Sequence, residues 1–151
     1  MDKNYMAFSR PGSSYEEKVR QLLDEGLQPS YFYRREVVMP NLYGTHKNPL
    51  RFDFGIYHEL WPGMMCLEFL IEVDGEFHFH FRRSGTFNTK LDFIRQKGYD
   101  EKKNSYCLAH HIPLIRIPYW EIQNLTFYKI FNTPYFVVKN KYHNSLIEIP
   151  K

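Results

Sequence analysis

Cysteine is scarce in this chain, which has only two such residues among 151. Cys66 and Cys107 each lie in apolar surroundings and form no CxxC pair. A disulfide framework or a cysteine-based zinc cluster needs more cysteines than this. We therefore expect two reduced, buried thiols and a cytoplasmic protein.

Long apolar runs are also absent. None approaches the roughly 18 residues of a membrane span, and the first residues lack the basic-then-apolar profile of a signal peptide. Charge of one sign is not in large excess, because 20 Lys and Arg oppose 17 Asp and Glu, a formal charge of +3. That balance permits contact with a polyanion without requiring it. We expect a soluble protein with no membrane partner.

Apolar and aromatic residues are plentiful, at 43% and 18% of the chain, which is ample for a core. A chain of 151 residues fits a single domain of about 100–200 residues. The Pro-Gly breaker near the start separates an N-terminal arm, residues 1–13, from the domain at 14–131. Residues 132–151 are predicted to form a C-terminal extension packed on the same domain.

Three segments carry helix signals. "SSYEEKVRQLLDEG" has a serine N-cap, a Gly26 stop and Glu16 on the side of Val19 and Leu23. "FIRQKGYDEKKNSYCLAHH" is predicted to be a helix because Tyr99, Lys103, Tyr106, Cys107 and His110 recur at helical spacing, with Gly98 marking a candidate interruption. "EIQNLTFYKIF" is predicted to be a short helix.

Strand signals alternate with these helices. "FYRREVVMP" is predicted to be a strand ended by Pro40, and "LRFDFGIYH" a second one with Asp53 and Gly55 on one face. The third runs through "MMCLEF" and "LIEVDGEFHFH", the fourth is "IPLIRIPYW", and "YFVVKNKYH" is a candidate edge strand. This order predicts an α/β sandwich around a mixed sheet of about four strands. The last of these strands would join the sheet after a helical crossover.

The third strand carries an unusual polar face. Successive strand side chains alternate between faces, so Glu72, Asp74, Glu76, His78 and His80 would share one face. Neighbouring strands lie about 5 Å apart, so Asp53 on the second strand can join the acids of the third. Carboxylates clustered in this way repel one another unless a cation joins them. We therefore predict a metal site formed by Asp53, Glu72 and Asp74, with Mg²⁺ as the ion that such oxygen ligands suit.

Four motifs in order carry a resemblance to a known family. "RFDFGIY", "LIEVDGEFHF", "DEKKNSYC" and "IPLIRIPY" together resemble the PD-(D/E)XK restriction-endonuclease-like superfamily. The branch they resemble contains the very-short-patch repair and phage homing endonucleases. The resemblance covers about residues 14–122, most of the chain.

That resemblance implies a restriction-endonuclease-like core and a Mg²⁺-dependent DNA endonuclease, with Mn²⁺ as a substitute ion. It implies Asp53 as the acid of the first motif, Glu72 as that of the second, and Glu16 as the N-terminal helical glutamate. The enzyme would hydrolyse phosphodiester bonds, in a nicking or structure-selective way. It would act in the cytoplasm of a prokaryotic or phage-infected host cell.

The chain departs from the superfamily pattern at one position. Where a lysine normally follows the second acid by two residues, this chain has Asp74. In the branch that it resembles, His78 is the expected substitute, acting as a general acid or base near its ordinary pKa of about 6.5. Lys97 or Lys103 on the following helix is the alternative source of the missing cation.

Basic residues just beyond the third strand are candidates for DNA contacts. Arg82, Arg83, Arg95, Lys97 and Lys103 are expected to line the phosphate backbone, which dominates nucleic-acid affinity. Such contacts position DNA but do not read its sequence. Specificity would then come from a homodimer, from a fused or separate partner protein, or from DNA structure.

Alternatives remain open for several of these residues. His78 and His80 form an H-x-H pair that can bind Zn²⁺, although no third soft ligand follows nearby. Glu16 can be an ordinary acid in an exposed first helical turn, where the helix dipole favours it. Arg116 is expected to be a buried ion-pair partner of the site acids. The rival to an endonuclease is a non-catalytic nucleic-acid-binding or protein-interaction module that retains the nuclease fold.

Overall fold

A five-stranded mixed sheet with helices on both faces organises the computed structural model, which describes residues 14–76, 90–132 and 134–139. The helices are α1 (Ser14–Gly26), α2 (Lys90–Ala109) and α3 (Phe127–Phe131). The strands are β1 (Tyr31–Tyr43), β2 (Pro49–Trp61), β3 (Met64–Asp74), β4 (Leu114–Pro118) and β5 (Phe136–Val138). Short 3₁₀ segments occupy Thr45–Lys47 and Tyr119–Asn124.

The strands lie in the order β1-β2-β3-β4-β5. Strands β1, β2 and β3 are antiparallel neighbours, β3 and β4 are parallel, and β5 returns antiparallel to β4. The predicted α/β class, the mixed sheet and the helical crossover before β4 are therefore confirmed. The predicted count of four strands is wrong, because β5 from the C-terminal segment adds a fifth at the edge.

Each face of the sheet has its own apolar core. The core on the α1 side contains Val19 and Leu23 of the helix with Ile71 of β3. The core on the α2 side contains Cys107 of the helix with Leu70 of β3. Strand β3 is thus buried on both faces, so a charged residue within it must find partners in the protein.

Strand β2 changes face at Asp53. Phe54 packs in the α1-side core and Phe52 in the α2-side core, although strict alternation would place both on one face. The β2–β3 ladder begins at Phe54 and Ile71, and the facing residue of β1, Glu36, has a φ of +56°. The expected single polar face of β2 is therefore interrupted at Asp53, where the backbone leaves regular strand geometry.

Two predicted strand ends differ from the structure. Strand β1 continues through Pro40 to Tyr43, which an edge strand tolerates because no neighbour needs the missing N–H. The Pro40 carbonyl accepts a hydrogen bond from Tyr106 Oη at 2.8 Å. Strand β3 ends at Asp74, directly before Gly75, so the strand predicted to run through His80 stops earlier.

The helical predictions also need two corrections. Helix α2 runs without a break through Gly98, where an added Cβ would meet nothing within 4 Å. The single helix predicted after β4 is a 3₁₀ segment followed by α3, with Thr126 between them. Thr126 caps α3 because its side-chain oxygen accepts a hydrogen bond from the Lys129 backbone N–H.

Several sequence predictions fall outside the described residues: the N-terminal arm at 1–13, the side chains His78, His80, Arg82 and Arg83, and the end of the chain at 140–151. In the C-terminal extension, β5 pairs with β4 at the edge of the sheet, and Val138 packs in the α2-side core. Both cysteines are free thiols, but only Cys107 is buried, and this burial raises its pKa to about 12. None of the helices in the described segments is long and apolar enough to cross a membrane.

Candidate active site

Two of the predicted site acids meet where the β2–β3 ladder ends. Glu72 Oε1 accepts a hydrogen bond from the Asp53 backbone N–H at 2.9 Å, and Asp53 Oδ2 accepts one from the Val73 N–H at 2.7 Å. These side chains replace the backbone pairing that the separating strands no longer make. Both carboxyl groups are consequently held in place by the sheet.

Glu16 of α1 lies beside Asp53 on the α1 side of the sheet. Its carboxyl group lies against that of Asp53, and this contact contributes to the raised pKa of Asp53. Glu16 Oε2 also accepts a hydrogen bond from Arg35 Nη2 at 3.1 Å, and the side chain is only 16% exposed. Glu16 is therefore part of the cluster and is not an exposed first-turn acid.

Lys103 of α2 reaches the cluster from the opposite face. Its Nζ lies 2.9 Å from Glu72 Oε2 and 5.4 Å from the centroid of the Phe52 ring. This is the cation that the sequence placed at Lys97 or Lys103. Because Lys103 is buried, it does not fit the expected role in a surface DNA-binding patch.

Arg116 of β4 lies at the centre of a second group of acids. Its Nη1 is 2.8 Å from Asp74 Oδ1, 3.6 Å from Asp100 Oδ1 and 4.0 Å from Glu72 Oε2. Its Nε donates to Asn104 Oδ1 at 2.7 Å, which ties β4 to α2. The predicted role of Arg116 as a buried ion-pair partner is confirmed.

The predicted metal set is thus divided between two neighbouring groups that share Glu72. Among the described residues, Glu72, Asp74 and Asp100 have carboxylate oxygens within 4.8 Å of one another, a spacing that suits a metal ion. The Arg116 guanidinium already serves that group as its cation. Asp53 lies on the other side of Glu72 together with Glu16, and within the described segments no Lys or Arg is ion-paired with Asp53 itself.

The electrostatics of Asp53 reflect this shortage. Desolvation by burial, followed by the negative charges of Glu72 and Glu16, raises the pKa of the Asp53 carboxyl well above its ordinary value. Arg116 shows the complementary effect: desolvation lowers its pKa, but the charges of its neighbouring acids outweigh that and raise it. Four acids of the cluster are ion-paired in the described part of the chain: Glu16 with Arg35, Glu72 with Lys103, and Asp74 and Asp100 with Arg116.

This donor set fits Mg²⁺. The available ligands are carboxylate oxygens, the ligand type that Mg²⁺ prefers. Glu72 and Asp74 have the oxygen spacing that a metal ion needs, and Asp53 stays a predicted ligand whose carboxyl group is held beside Glu72.

The remaining predicted DNA contacts lie on the exposed side of α2. Arg95 is exposed and 3.4 Å from Asp92, and the exposed Lys97 lies over the Phe93 ring at 5.6 Å. Lys102 is exposed as well, and its Nζ donates to the Tyr43 carbonyl at 2.7 Å. These three positive charges therefore lie at exposed positions of α2.

Three contributors were not recognised from the sequence. They are Arg35 of β1 and Asp100 and Asn104 of α2. The spacing of Asp100, Lys103 and Asn104 places them on one side of a helix, which was an available signal. Nothing local indicated Arg35, because its partner Glu16 lies on a different element.

No family model, curated protein or solved structure matches the chain.

Proposed function

We propose that this protein is a Mg²⁺-dependent DNA endonuclease with a restriction-endonuclease-like core, and that Mn²⁺ can replace Mg²⁺. The observation that carries the proposal is the meeting of Glu16, Asp53 and Glu72 with Lys103 at the point where β2 separates from β3. Three acids and a lysine, supplied by two helices and two strands, converge there. A merely solvated polar face would not require these buried, mutually bonded groups.

The side chains have distinct tasks in such a reaction. Bound Mg²⁺ supplies Lewis acidity toward a phosphate and lowers the pKa of a coordinated water. Asp53 and Glu72 provide oxygen ligands whose positions are set by the backbone N–H of Val73 and by that of Asp53. Glu16 holds the Asp53 carboxyl from the other side.

Lys103 replaces the lysine missing from position 74. An ammonium has three N–H donors, and Glu72 Oε2 accepts one of them. The others can donate to a phosphate oxygen or to the attacking water, where a fixed positive charge stabilises the developing negative charge. His78 stays the proposed general acid or base, following on from the end of β3.

DNA is the proposed substrate. Arg95, Lys97 and Lys102 present positive charge on the exposed side of α2, the same helix that carries Lys103 into the site. Arg82 and Arg83 precede this helix in the chain and are proposed to extend the patch. Because such contacts do not read sequence, we propose that specificity comes from a homodimer, a partner protein or DNA structure.

One observation favours a non-catalytic nucleic-acid-binding module instead. Glu72 and Asp74 already have cationic partners in Lys103 and Arg116, so both acids can serve as structural ion pairs. In that case the protein would bind nucleic acid and leave it intact.

Supercoiled plasmid incubated with Mg²⁺ or Mn²⁺ tests the proposal. Nicked or linear product is expected with the parent protein, and none is expected with chelator or with Asp53→Asn. Asp92→Asn, which removes an acid outside the cluster, should cut like the parent. Intact plasmid under all metal conditions would reject the endonuclease and favour the binding module.

A further inference from the structure

A surface cleft of about 390 Å³ opens beside the acid cluster. Its volume falls within the roughly 300–1,000 Å³ range of small-molecule sites. The cleft begins at the carboxyl ends of the parallel strands β3 and β4 and is lined by Asp74, Arg116, Pro118, Trp120, Glu121, Pro134 and Tyr135. In open α/β sheets, ligands bind in the crevice at this end of the strands.

The lining divides into a polar floor and apolar walls. Asp74 and Arg116 are buried, with side chains 7% and 10% exposed, and they form an ion pair at 2.8 Å. Trp120 is 56% exposed, and together with two prolines and Tyr135 it supplies flat, apolar surface. A ligand matching this cleft is planar and apolar on its faces and carries hydrogen-bonding groups on its edge.

The walls are held in place before any ligand arrives. The Trp120 ring stands edge-on to Tyr119, at 83° and with 5.2 Å between the centroids. Tyr135 Oη donates to Glu121 Oε2 at 3.1 Å, which fixes the ring across the cleft. Rigid aromatic surfaces lose little conformational entropy on binding, so stacking against them is effective.

We propose that this cleft binds an unpaired nucleobase of the nucleic-acid substrate. This inference rests on the proposed function and adds a substrate preference to it. Every base has a π-face that can stack on Trp120, while the Asp74 carboxylate, which Arg116 Nη1 holds in place, can accept N–H groups from a base edge.

The position of the floor connects this cleft with the candidate metal ligands. Asp74 is two residues from Glu72 on β3, and their carboxylate oxygens lie within 4.8 Å of each other. A nucleotide joins its base to its phosphate through one sugar, so one nucleotide can occupy both places. A base can enter the cleft only when it is outside a stacked duplex, which makes bulges, mismatches and single strands the preferred substrates.

Tryptophan fluorescence gives a direct test, because the chain has two tryptophans. In a Trp61→Phe background, Trp120 is the sole tryptophan reporter. We expect its emission to be quenched by single-stranded DNA and by a duplex with one bulged base, with chelator present to prevent cleavage. A fully paired duplex should leave the emission unchanged.

Affinity for the same fluorescently labelled oligonucleotides provides the second measurement. Trp120→Ala should weaken binding to the bulged duplex about tenfold or more, on the usual scale of a base–aromatic stack. Trp61→Ala is the matched control, because Trp61 is 58% exposed but lies at the far end of β2. It should bind like the parent.

The outcomes separate this inference from the proposed function. Plasmid cleavage without Trp120 quenching, or equal affinities for Trp120→Ala and the parent, would overturn the nucleobase site and leave the endonuclease in place. Quenching without cleavage would support the base site in a non-catalytic binding protein. Failure of every oligonucleotide to bind would overturn the nucleobase site as well.

Discussion

Lys103 Nζ and Glu72 Oε2 lie 2.9 Å apart across the contact between helix α2 and strand β3, and both side chains are less than 10% exposed. A buried ion pair contributes little to stability relative to apolar residues of the same size, whereas removing one partner is costly. The pair is therefore better explained by a task for the ammonium than by the stability it provides. In the proposed enzyme that task is to present positive charge beside the metal ligands.

Lys103→Met should reduce plasmid cleavage by about 100-fold or more, because it removes the preorganised cation at the developing charge. It should also lower stability by up to about 3–5 kcal/mol, since Glu72 loses a buried partner. Cleavage assays well below the unfolding temperature, paired with urea denaturation, separate the two effects. Lys129→Met, at an exposed position of α3, is the control, and an equal loss of cleavage there would contradict the assignment.

Asp53→Asn should stabilise the metal-free protein at neutral pH. The native pKa of Asp53 is raised, so above about pH 4 the native state binds more protons here than the unfolded chain, and stability falls as pH rises toward the native pKa. The asparagine side chain does not titrate, so the variant does not lose stability in this way as the pH rises. With chelator present, its Tm should exceed that of the parent by about 3 °C or more at pH 8, and the difference should vanish near pH 4. A constant difference across this range would contradict the raised pKa.

Mg²⁺ or Mn²⁺ should raise the Tm of the parent protein at pH 8, because a ligand that binds the native state alone stabilises it. Asp53→Asn and Glu72→Gln should lose most of this shift. Asp100→Asn should retain it, since Arg116 already serves the acids on that side of Glu72. If Asp100→Asn alone lost the rise in Tm, the metal site would instead be the group formed by Glu72, Asp74 and Asp100.

Arg116→Met should lower the free energy of unfolding by about 3–5 kcal/mol, because it leaves buried acids without their cation and releases Asn104 of α2. Arg95→Met, at an exposed position with one weak ion pair, should change stability by less than about 1 kcal/mol. Urea denaturation at pH 7 measures both. Similar losses for the two variants would contradict the central role of Arg116.

His78→Ala should lower the cleavage rate by about 100-fold or more with little change in metal affinity, the usual scale for a positioned acid or base. His80→Ala should cost less than tenfold, since it lies two residues further from Asp74. Single-turnover cleavage and metal titration of each variant provide the comparison. Equal losses, or loss of metal binding in both, would favour an H-x-H metal site.

Local sequence was sufficient for the elements and for most of the site acids. The 3.6-residue period predicted α1 and α2, alternation predicted the middle strands, and buried Glu72 and Asp74 stood out because a charge in a strand of apolar neighbours needs partners. Arg116 was expected to be one of those partners on the same grounds. These inferences rest on the spacing of residues within one helix or strand, which can be read directly from the sequence.

Tertiary structure alone decided which acids share a cation. Glu16 meets Arg35 of β1 and Asp53 of β2 because α1 packs on that side of the sheet. Lys103, not Lys97, reaches Glu72 because α2 turns that side of its surface inward. The change of face at Asp53 and the continuation of β1 through Pro40 likewise depend on neighbours distant in sequence. Side-chain partners and pKa shifts arise from such long-range contacts, whereas periodicity reports only which face of its own element a residue occupies.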